Sequence, residues 1–106
     1  MRQELNCENF TDKDGNPAGG NVIGLGVDIR WQDGPLGRGE SRTEPNGAFV
    51  EGVIEAAKQR LEFYQASKLS CFRNTAAILH LECALRALDD RTKDRETREV
   101  EGTHEI

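Results

Sequence analysis

The sequence lacks long apolar runs and any leader-like segment. No stretch approaches the roughly 20 consecutive apolar residues of a transmembrane helix, so we expect no membrane span. The N-terminal stretch Met1–Phe10 contains Glu4 and Glu8 and has no apolar centre, which is unlike a secretory signal peptide. We therefore expect the protein to stay in the cytosol of the cell that makes it.

Residue patterns that serve catalysis or bind metals are also missing. There is no Ser-His-Asp order, no Cys-His motif and no helix that carries metal ligands at the usual spacing. The segment Gly19–Gly26 does not match a phosphate-cradling loop, because it has no lysine–serine ending and does not lead from a strand into a helix. We therefore predict a protein that is not an enzyme and uses no metal and no cofactor.

Cysteine is scarce and odd in number. The three cysteines are Cys7, Cys71 and Cys83. On one helix, Cys71 and Cys83 would lie about 18 Å apart, which is too far for a disulfide bond. We expect all three to be buried, reduced thiols.

Size and charge limit the classes of protein that fit. The chain has 106 residues, of which 36% are hydrophobic, 31% charged and 6% aromatic, with a net charge of -5. These values predict one domain with a modest core, so burial of further surface by self-association is plausible. The negative charge argues against binding to DNA, RNA or a membrane surface, whereas local arginines could still hold a small anion.

The first half of the chain contains one clear strand pattern. Residues 1 to 20 have the composition of a loop, and the segment Asn21–Gln32 then alternates, with five apolar residues on one face: Ile23, Leu25, Val27, Ile29 and Trp31. After a turn at Asp33–Gly37, the polar stretch Arg38–Glu44 could form a returning strand. We expect a β-hairpin or small antiparallel sheet.

The second half has helical periodicity. Apolar residues at spacings of three and four predict one helix from Val50 to about Ser67. A second helix, with Ser70 as its N-cap, should run from about Cys71 to near Arg98. The fold class is therefore α+β, a single domain over residues 1–106. Its predicted parts are a flexible segment (1–19), a β region (20–45), an antiparallel helical hairpin (47–98) and a C-terminal tail (99–106).

In the last helix an apolar stripe continues into arginines without changing face. At 100° per residue, one sector holds Asn74, Leu81, Leu85, Leu88, Arg91, Arg95 and Arg98. Arg91 and Arg95 are one turn apart, about 6 Å, a spacing that suits a pyrophosphate or cyclic phosphodiester. The structural alternative is a solvated last turn, in which these arginines pair with Asp89, Asp94 or Glu99.

Other candidate residues have equally open interpretations. Trp31 could stack on a nucleobase or pack in the core. Phe63 and Tyr64 cannot both face the core, so we expect one of them to lie near the end of the helical hairpin. His80 could donate to a phosphate or be a partly exposed structural residue, and Asn74 could bond the backbone or contact a ligand.

Four stretches resemble the phage Thoeris anti-defence proteins of the first type. The resemblance covers about residues 20 to 106, and its C-terminal signature is the most specific part. The stretches are Ile29–Gly37, Pro45–Val50, Arg60–Gln65 and Arg91–Glu96, the last followed by Val100-Glu101-Gly102-Thr103-His104.

The resemblance implies a sponge that sequesters a cyclic ADP-ribose isomer, the signal of bacterial Thoeris defence, without degrading it. Acting in the cytoplasm of the infected bacterial host, such a protein keeps the NAD-depleting effector from being switched on. Family members form homodimers or larger assemblies, hexamers among them, with the signal near a subunit junction. Some also hold cyclic di- or trinucleotides in separate pockets, as a related anti-CBASS sponge family does.

Matched by position, the resemblance assigns ligand contacts to Arg91, Arg95 and Asn74. It extends to Thr92 and Thr103 in the C-terminal motif, and to Trp31 and Tyr64 at aromatic positions. Our candidates for a second, cyclic-nucleotide pocket are Arg30 and His80. The chain departs from the family pattern at Glu99, where we expect glycine; a carboxylate there could repel phosphate or change the turn.

Three other functions fit the sequence less well. The helical hairpin could serve as a protein-interaction adaptor with no nucleotide ligand. The chain could instead be a nucleotide hydrolase or a structural phage component. Gain of ligand mass and recovery of intact ligand distinguish a sponge from each of these.

Overall fold

A computed structural model describes all residues from Met1 to Ile106. The chain forms two compact units, one of Met1–Phe49 with Glu99–Ile106 and the other of Val50–Arg98. The first unit contains a three-stranded antiparallel sheet and the second contains two helices. This element order confirms the predicted α+β class. None of the helices is long and apolar enough to cross a membrane.

The sheet has the strand order β1-β2-β3, with β1 at Asn6–Thr11, β2 at Pro17–Gly24 and β3 at Val27–Trp31. The prediction of one strand over Asn21–Gln32 is wrong, because the chain turns between Gly24 and Val27, which pair with each other. Gly26 has a φ of 75°, a conformation that favours glycine.

This turn changes which residues share a face. Val22 lies opposite Ile29, and it is the one buried hydrophobic residue, at 8% exposure. Ile23 lies opposite Asp28 and is exposed, as is Leu25 in the turn. The apolar residues alternate regularly along the sequence, but the chain reverses direction between Gly24 and Val27, so they belong to two strands and not to one face.

The prediction of a loop over residues 1 to 20 is also wrong where β1 and the start of β2 lie. All six residues of β1 are exposed, so the strand has no apolar alternation by which a sequence could indicate it. Backbone pairing with β2 holds it, as in the pair of Cys7 with Val22. Between these strands, the loop composition agrees with the turn that joins β1 to β2.

Asp12 organises that turn. Its Oδ1 accepts hydrogen bonds from the backbone N–H groups of Asp14, at 2.9 Å, and Asn16, at 3.0 Å. The Asn16 backbone N–H is the main cause that lowers the pKa of the Asp12 carboxyl, because it stabilises the charged form. The charged carboxylate thus supports the β1–β2 connection.

The stretch Arg38–Glu44 does not form the expected strand. It contains one 3-10 turn, at Gly39–Ser41, and the edge of β3 is met instead by the segment around Ala48. Ala48 N–H donates to the Arg30 carbonyl at 2.7 Å, and Gln32 N–H donates to the Ala48 carbonyl at 3.0 Å. A polar segment that begins with two glycines of positive φ, Gly37 and Gly39, forms a turn more readily than a paired strand.

The second unit is an antiparallel helical hairpin, as predicted. Its helices are α1 at Val50–Gln65 and α2 at Phe72–Thr97. The Lys58 ammonium lies 3.1 Å from the Glu82 carboxylate, and Gln65 Nε2 donates to Thr75 Oγ1 at 2.7 Å. Neither helix contains a buried residue.

The N-cap of α2 and the exposure of the cysteines differ from expectation. Cys71 rather than Ser70 occupies the N-cap of α2, and its side chain makes no capping hydrogen bond. Cys7, Cys71 and Cys83 are all free and exposed, so the expectation of buried thiols is wrong. The reason is that β1 and both helices leave their side chains largely uncovered.

The C-terminal tail rejoins the sheet unit after α2. Gly37 N–H donates to the Gly102 carbonyl at 2.8 Å, and Arg38 Nη1 donates to the Glu101 carbonyl at 2.8 Å. Arg42 Nη1 also lies 2.9 Å from the Glu101 carboxylate. These bonds hold the tail against the segment that follows β3.

Glu99 begins the tail with a φ of 60°, the one positive φ of a residue other than glycine. It follows Arg98, the C-cap of α2, at the position where a left-handed residue often ends a helix. Glycine adopts this conformation without the steric cost that a Cβ brings. The expected family glycine and the backbone geometry therefore agree.

The Glu99→Gly variant is expected to unfold at a higher temperature than the wild type. Relief of the left-handed backbone should add about 1 kcal/mol to the free energy of unfolding. Differential scanning calorimetry measures the change. Glu99→Ala is the matched control, because it removes the carboxylate from the helix C-terminus but keeps the Cβ, so only a smaller electrostatic gain should remain. Equal gains in both variants would show that backbone strain is not the cause.

Candidate functional site

The C-terminal end of α2 carries the arginines singled out in the sequence. Arg95 and Thr92 are half-buried, whereas Arg91 and Arg98 are exposed. The covered stripe therefore passes from Leu88 to Thr92 and Arg95, with Arg91 along its edge. This differs from the expectation that all three arginines continue the stripe, because the helical period moves Arg91 and Arg98 to one side.

The polar contacts at this end involve Arg95 and Arg98 but not Arg91. Thr92 Oγ1 donates to the Leu88 carbonyl at 3.1 Å, and Arg98 is held by the Asp94 carboxylate at 3.0 Å. Arg95 also has interactions of its own. Arg91 and Arg95 lie one turn apart on a continuous helix, about 6 Å along the axis. Their guanidinium groups can thus serve two anionic centres of one molecule.

The hairpin end of the same unit holds the other predicted contacts. Asn74 is half-buried, and its Nδ2 donates to the Leu69 carbonyl at 3.1 Å, which leaves Oδ1 as an acceptor. Tyr64 is half-buried near the end of α1, and Ser67 Oγ donates to its carbonyl at 2.6 Å. Gln65 Oε1 accepts from Cys71 N–H at 2.9 Å, which fixes the connection between the helices.

These two groups lie at opposite ends of α2. Asn74 and Arg91 both belong to the continuous helix Phe72–Thr97. Seventeen residues at 1.5 Å each separate them by about 25 Å along the axis. That span exceeds the reach of one small nucleotide, even with extended side chains. A single chain therefore cannot bring Asn74 and the arginines to the same ligand.

A cavity of about 370 Å³ lies in the sheet unit. Its size is within the range of small-molecule pockets, and its walls combine two aromatic rings, a guanidinium, a carboxylate and two amides. The lining residues are Phe10, Ala18, Gly19, Gly20, Asn21, Arg30, Trp31, Asp33 and Asn46. Trp31 and Arg30 thus line one cavity, although consecutive residues of a strand point to opposite faces and we predicted the two residues for different sites.

Hydrogen bonds fix the rim of this cavity. Asn46 Oδ1 accepts from Asp33 N–H at 2.8 Å, and Asn46 Nδ2 donates to the Asp33 carbonyl at 2.9 Å. A Cβ on Gly47 would lie 2.6 Å from the Trp31 carbonyl carbon, so this position requires glycine. The segment Pro45-Asn46-Gly47 therefore packs closely on the backbone beside Trp31.

Two predicted residues lie outside these groups. His80 is exposed on α2 and is not among the residues that line the cavity. Thr103 Oγ1 accepts from Glu105 N–H at 3.1 Å, within a turn of the tail. Their ligand roles stay predictions.

Sequence reasoning missed one residue at the hairpin end. The Arg60 guanidinium lies over the rings of both Phe63 and Tyr64, at 4.9 Å and 5.0 Å. The signal was present in the sequence, because Arg60 precedes these aromatics by three and four residues on a predicted helix.

We compared the sequence of this chain with those of known proteins and protein families. No protein-family model matches the chain. Over 77 residues, or 73% of its length, the chain is 47% identical to Thoeris anti-defense 1 of Bacillus phage SBSphiJ7. The chain belongs to the Thoeris anti-defence family. It spans about half the length of that relative, 51%.

Membership of the Thoeris anti-defence family confirms the resemblance drawn from the four sequence stretches. The relative's name states that it opposes Thoeris defence.

Proposed function

We propose that this protein acts in the infected bacterial host against Thoeris defence, by binding a cyclic ADP-ribose isomer tightly and leaving it intact. The observation that carries the proposal is the arrangement of α2. Its C-terminal end offers two arginines one turn apart, and the hairpin end of the same unit offers the Asn74 amide oxygen on α2 and the Tyr64 ring at the end of α1. Together these groups match the pyrophosphate, the ribose and the adenine of such a signal.

The binding site is formed by two chains. Because about 25 Å separates Asn74 from Arg91 on one helix, the two ends can meet only if a second copy supplies one of them. A two-fold axis that pairs antiparallel α2 helices brings the Tyr64–Asn74 end of one chain to the Arg91–Arg95 end of the other. Such an axis creates two equivalent sites.

The exposed surface of the helical hairpin supports this assembly. Neither α1 nor α2 has a buried residue, and several large apolar side chains of the unit are more than half exposed: Phe63, Leu69, Phe72 and Leu79. Apolar surface of this kind is stabilised by a partner that removes it from water. A homodimer is the smallest assembly that completes the site, and larger symmetric assemblies are compatible with it.

Each contact has a distinct chemical task. Arg91 and Arg95 provide forked hydrogen bonds to the two phosphates. Tyr64 offers a ring face for adenine, and Asn74 Oδ1 accepts from the adenine amino group or a ribose hydroxyl. Thr92 is adjacent to Arg91 on α2, whereas Thr103 belongs to the C-terminal motif of the tail.

The cavity of the sheet unit is our proposed second site. Trp31 can stack on a base while Arg30 binds a phosphate, which suits a cyclic di- or trinucleotide. His80 is not required for this site.

The adaptor alternative rests on the same exposed apolar residues of the hairpin, since a protein partner could cover them instead. Native mass spectrometry with cyclic ADP-ribose isomers separates the two functions. A sponge gains the mass of one ligand per chain in an oligomer, and the gain survives dilution. An adaptor keeps its mass unchanged, and this result would refute the proposal.

A further inference from the structure

Arg60 lies between two aromatic rings on the exposed side of α1. Its guanidinium carbon is 4.9 Å from the centroid of the Phe63 ring and 5.0 Å from that of the Tyr64 ring. Its Nε–H also donates to the Tyr64 hydroxyl oxygen at 3.2 Å. The two rings are 6.2 Å apart and inclined by 55° to one another. Arg60 thus contacts Tyr64 by both a cation–π contact and a directional hydrogen bond.

These contacts constrain the Tyr64 side chain. Stacking of the guanidinium on the ring resists rotation about the side-chain bonds, and the hydrogen bond fixes the hydroxyl end. Since the hydroxyl oxygen accepts from Arg60, its own proton is directed elsewhere. A tyrosine held in this way presents its ring in a fixed orientation together with a hydroxyl donor.

The surroundings of Arg60 make an electrostatic role in the fold a weaker explanation. The ion pairs of α1 involve Lys58, whose ammonium lies 3.1 Å from Glu82 and 3.7 Å from Glu55. On the helix, the neighbours of Arg60 at three and four residues are Ala56, Ala57, Phe63 and Tyr64, none of them acidic. Its contacts are therefore directed to the aromatic pair.

We propose that Arg60 is a positioning residue of the nucleotide site, which orients Tyr64 so that the ring stacks on adenine and the hydroxyl donates to the ligand. This inference rests on the proposed function, because it takes Tyr64 to be the platform for the base. Preorganised aromatic platforms gain affinity because less side-chain freedom is lost on binding. Arg60 acts through Tyr64 and need not touch the ligand.

The test combines affinity with a signal from the ring itself. Tyr64 is the one tyrosine of the chain. Incorporation of 3-fluorotyrosine therefore gives a single ¹⁹F resonance. Arg60→Ala should shift this resonance in the ligand-free protein and weaken binding of cyclic ADP-ribose roughly tenfold, the combined effect of a lost cation–π contact and a lost hydrogen bond. Arg60→Lys keeps the charge but not the planar fork, so it should not restore either property.

Arg73→Ala is the matched control, because the Arg73 guanidinium lies 4.8 Å from the Phe72 ring but makes no contact with Tyr64. It should leave both the resonance and the affinity unchanged. In a Tyr64→Ala background, removal of Arg60 should have no further effect on affinity. Helical circular dichroism should be unaffected, since alanine is a strong helix former.

The outcomes separate this inference from the function on which it rests. If the wild type binds no cyclic ADP-ribose isomer, the proposed function fails and the role of Arg60 fails with it. If the wild type binds while Arg60→Ala leaves affinity or the ¹⁹F resonance unchanged, the positioning role alone is refuted. An equal loss on removal of Arg60 in the Tyr64→Ala background would instead indicate direct contact with the ligand and also refute it.

Discussion

The double variant Arg91→Ala, Arg95→Ala is expected to bind cyclic ADP-ribose at least a hundredfold more weakly than the wild type. Each guanidinium donates charge-assisted hydrogen bonds to a phosphate, and loss of two such groups costs about 3–6 kcal/mol of binding free energy. No other group in the proposed site can neutralise the pyrophosphate. Isothermal titration calorimetry measures the loss directly.

A matched control removes the same charge from the opposite side of the same helix. Arg86 and Lys93 are exposed on α2, and the nearest carboxylate recorded for Arg86 lies 4.0 Å away, in Glu82. The double variant Arg86→Ala, Lys93→Ala should therefore bind as tightly as the wild type. Equal weakening by both pairs would mean that net charge, not a specific site, attracts the ligand. If the Arg91→Ala, Arg95→Ala variant binds with wild-type affinity, these two arginines do not bind the pyrophosphate.

Two inactive variants are expected to restore binding when they are combined. One is Tyr64→Ala, Asn74→Ala and the other is Arg91→Ala, Arg95→Ala, so each damages a different end of α2. In a two-fold dimer, a mixed pair contains one site with both ends mutated and one site with both ends intact. With random exchange of subunits, roughly a quarter of the wild-type number of sites should reappear. Binding at these sites should have wild-type affinity.

The experiment requires that subunits exchange or are produced together, so co-expression with two different affinity tags provides the mixed assembly. Each variant alone serves as its own control and should show no binding at ligand concentrations that saturate the wild type. The contrary result is a mixed assembly that stays inactive while each variant retains its fold and its oligomeric state. That outcome would place both ends of the site in one chain, against the 25 Å or so that the helix imposes.

Periodic elements were the part of the fold that the sequence could predict. The α1 and α2 patterns gave the hairpin to within a residue or two, because apolar positions at spacings of three and four must share a covered face. The arginines and Asn74 could be placed on one helix for the same reason. Their separation of about 25 Å follows from helix geometry alone.

The sheet was harder to predict because its elements are held by backbone pairing. β1 has six exposed residues and no apolar face, so nothing in its side chains indicates a strand. The Leu25-Gly26 turn interrupts an apolar alternation that looks continuous in the sequence. The cavity around Trp31 is also beyond sequence reasoning, since Phe10, Asn21 and Asn46 come from separate segments.

At Glu99 and Arg60, local geometry explains what the sequence left open. Glu99 stands where we expect the family glycine, and its backbone adopts a φ of 60°. This identifies the substitution as a cost in stability at the end of α2. Arg60 belongs to a stretch that resembles the family, but the resemblance gave it no role. Its contacts with Tyr64 are the basis for the positioning role that we propose.

Sequestration is tested most directly by identifying the nucleotide that leaves the complex on denaturation. Protein incubated with an excess of cyclic ADP-ribose isomer is freed of unbound ligand, denatured by heat, and the supernatant is analysed by liquid chromatography and mass spectrometry. We expect recovery of the intact cyclic nucleotide, about one molecule per chain, because a two-fold assembly has two equivalent sites. Recovery of a linear or hydrolysed product, or of no nucleotide, would contradict it.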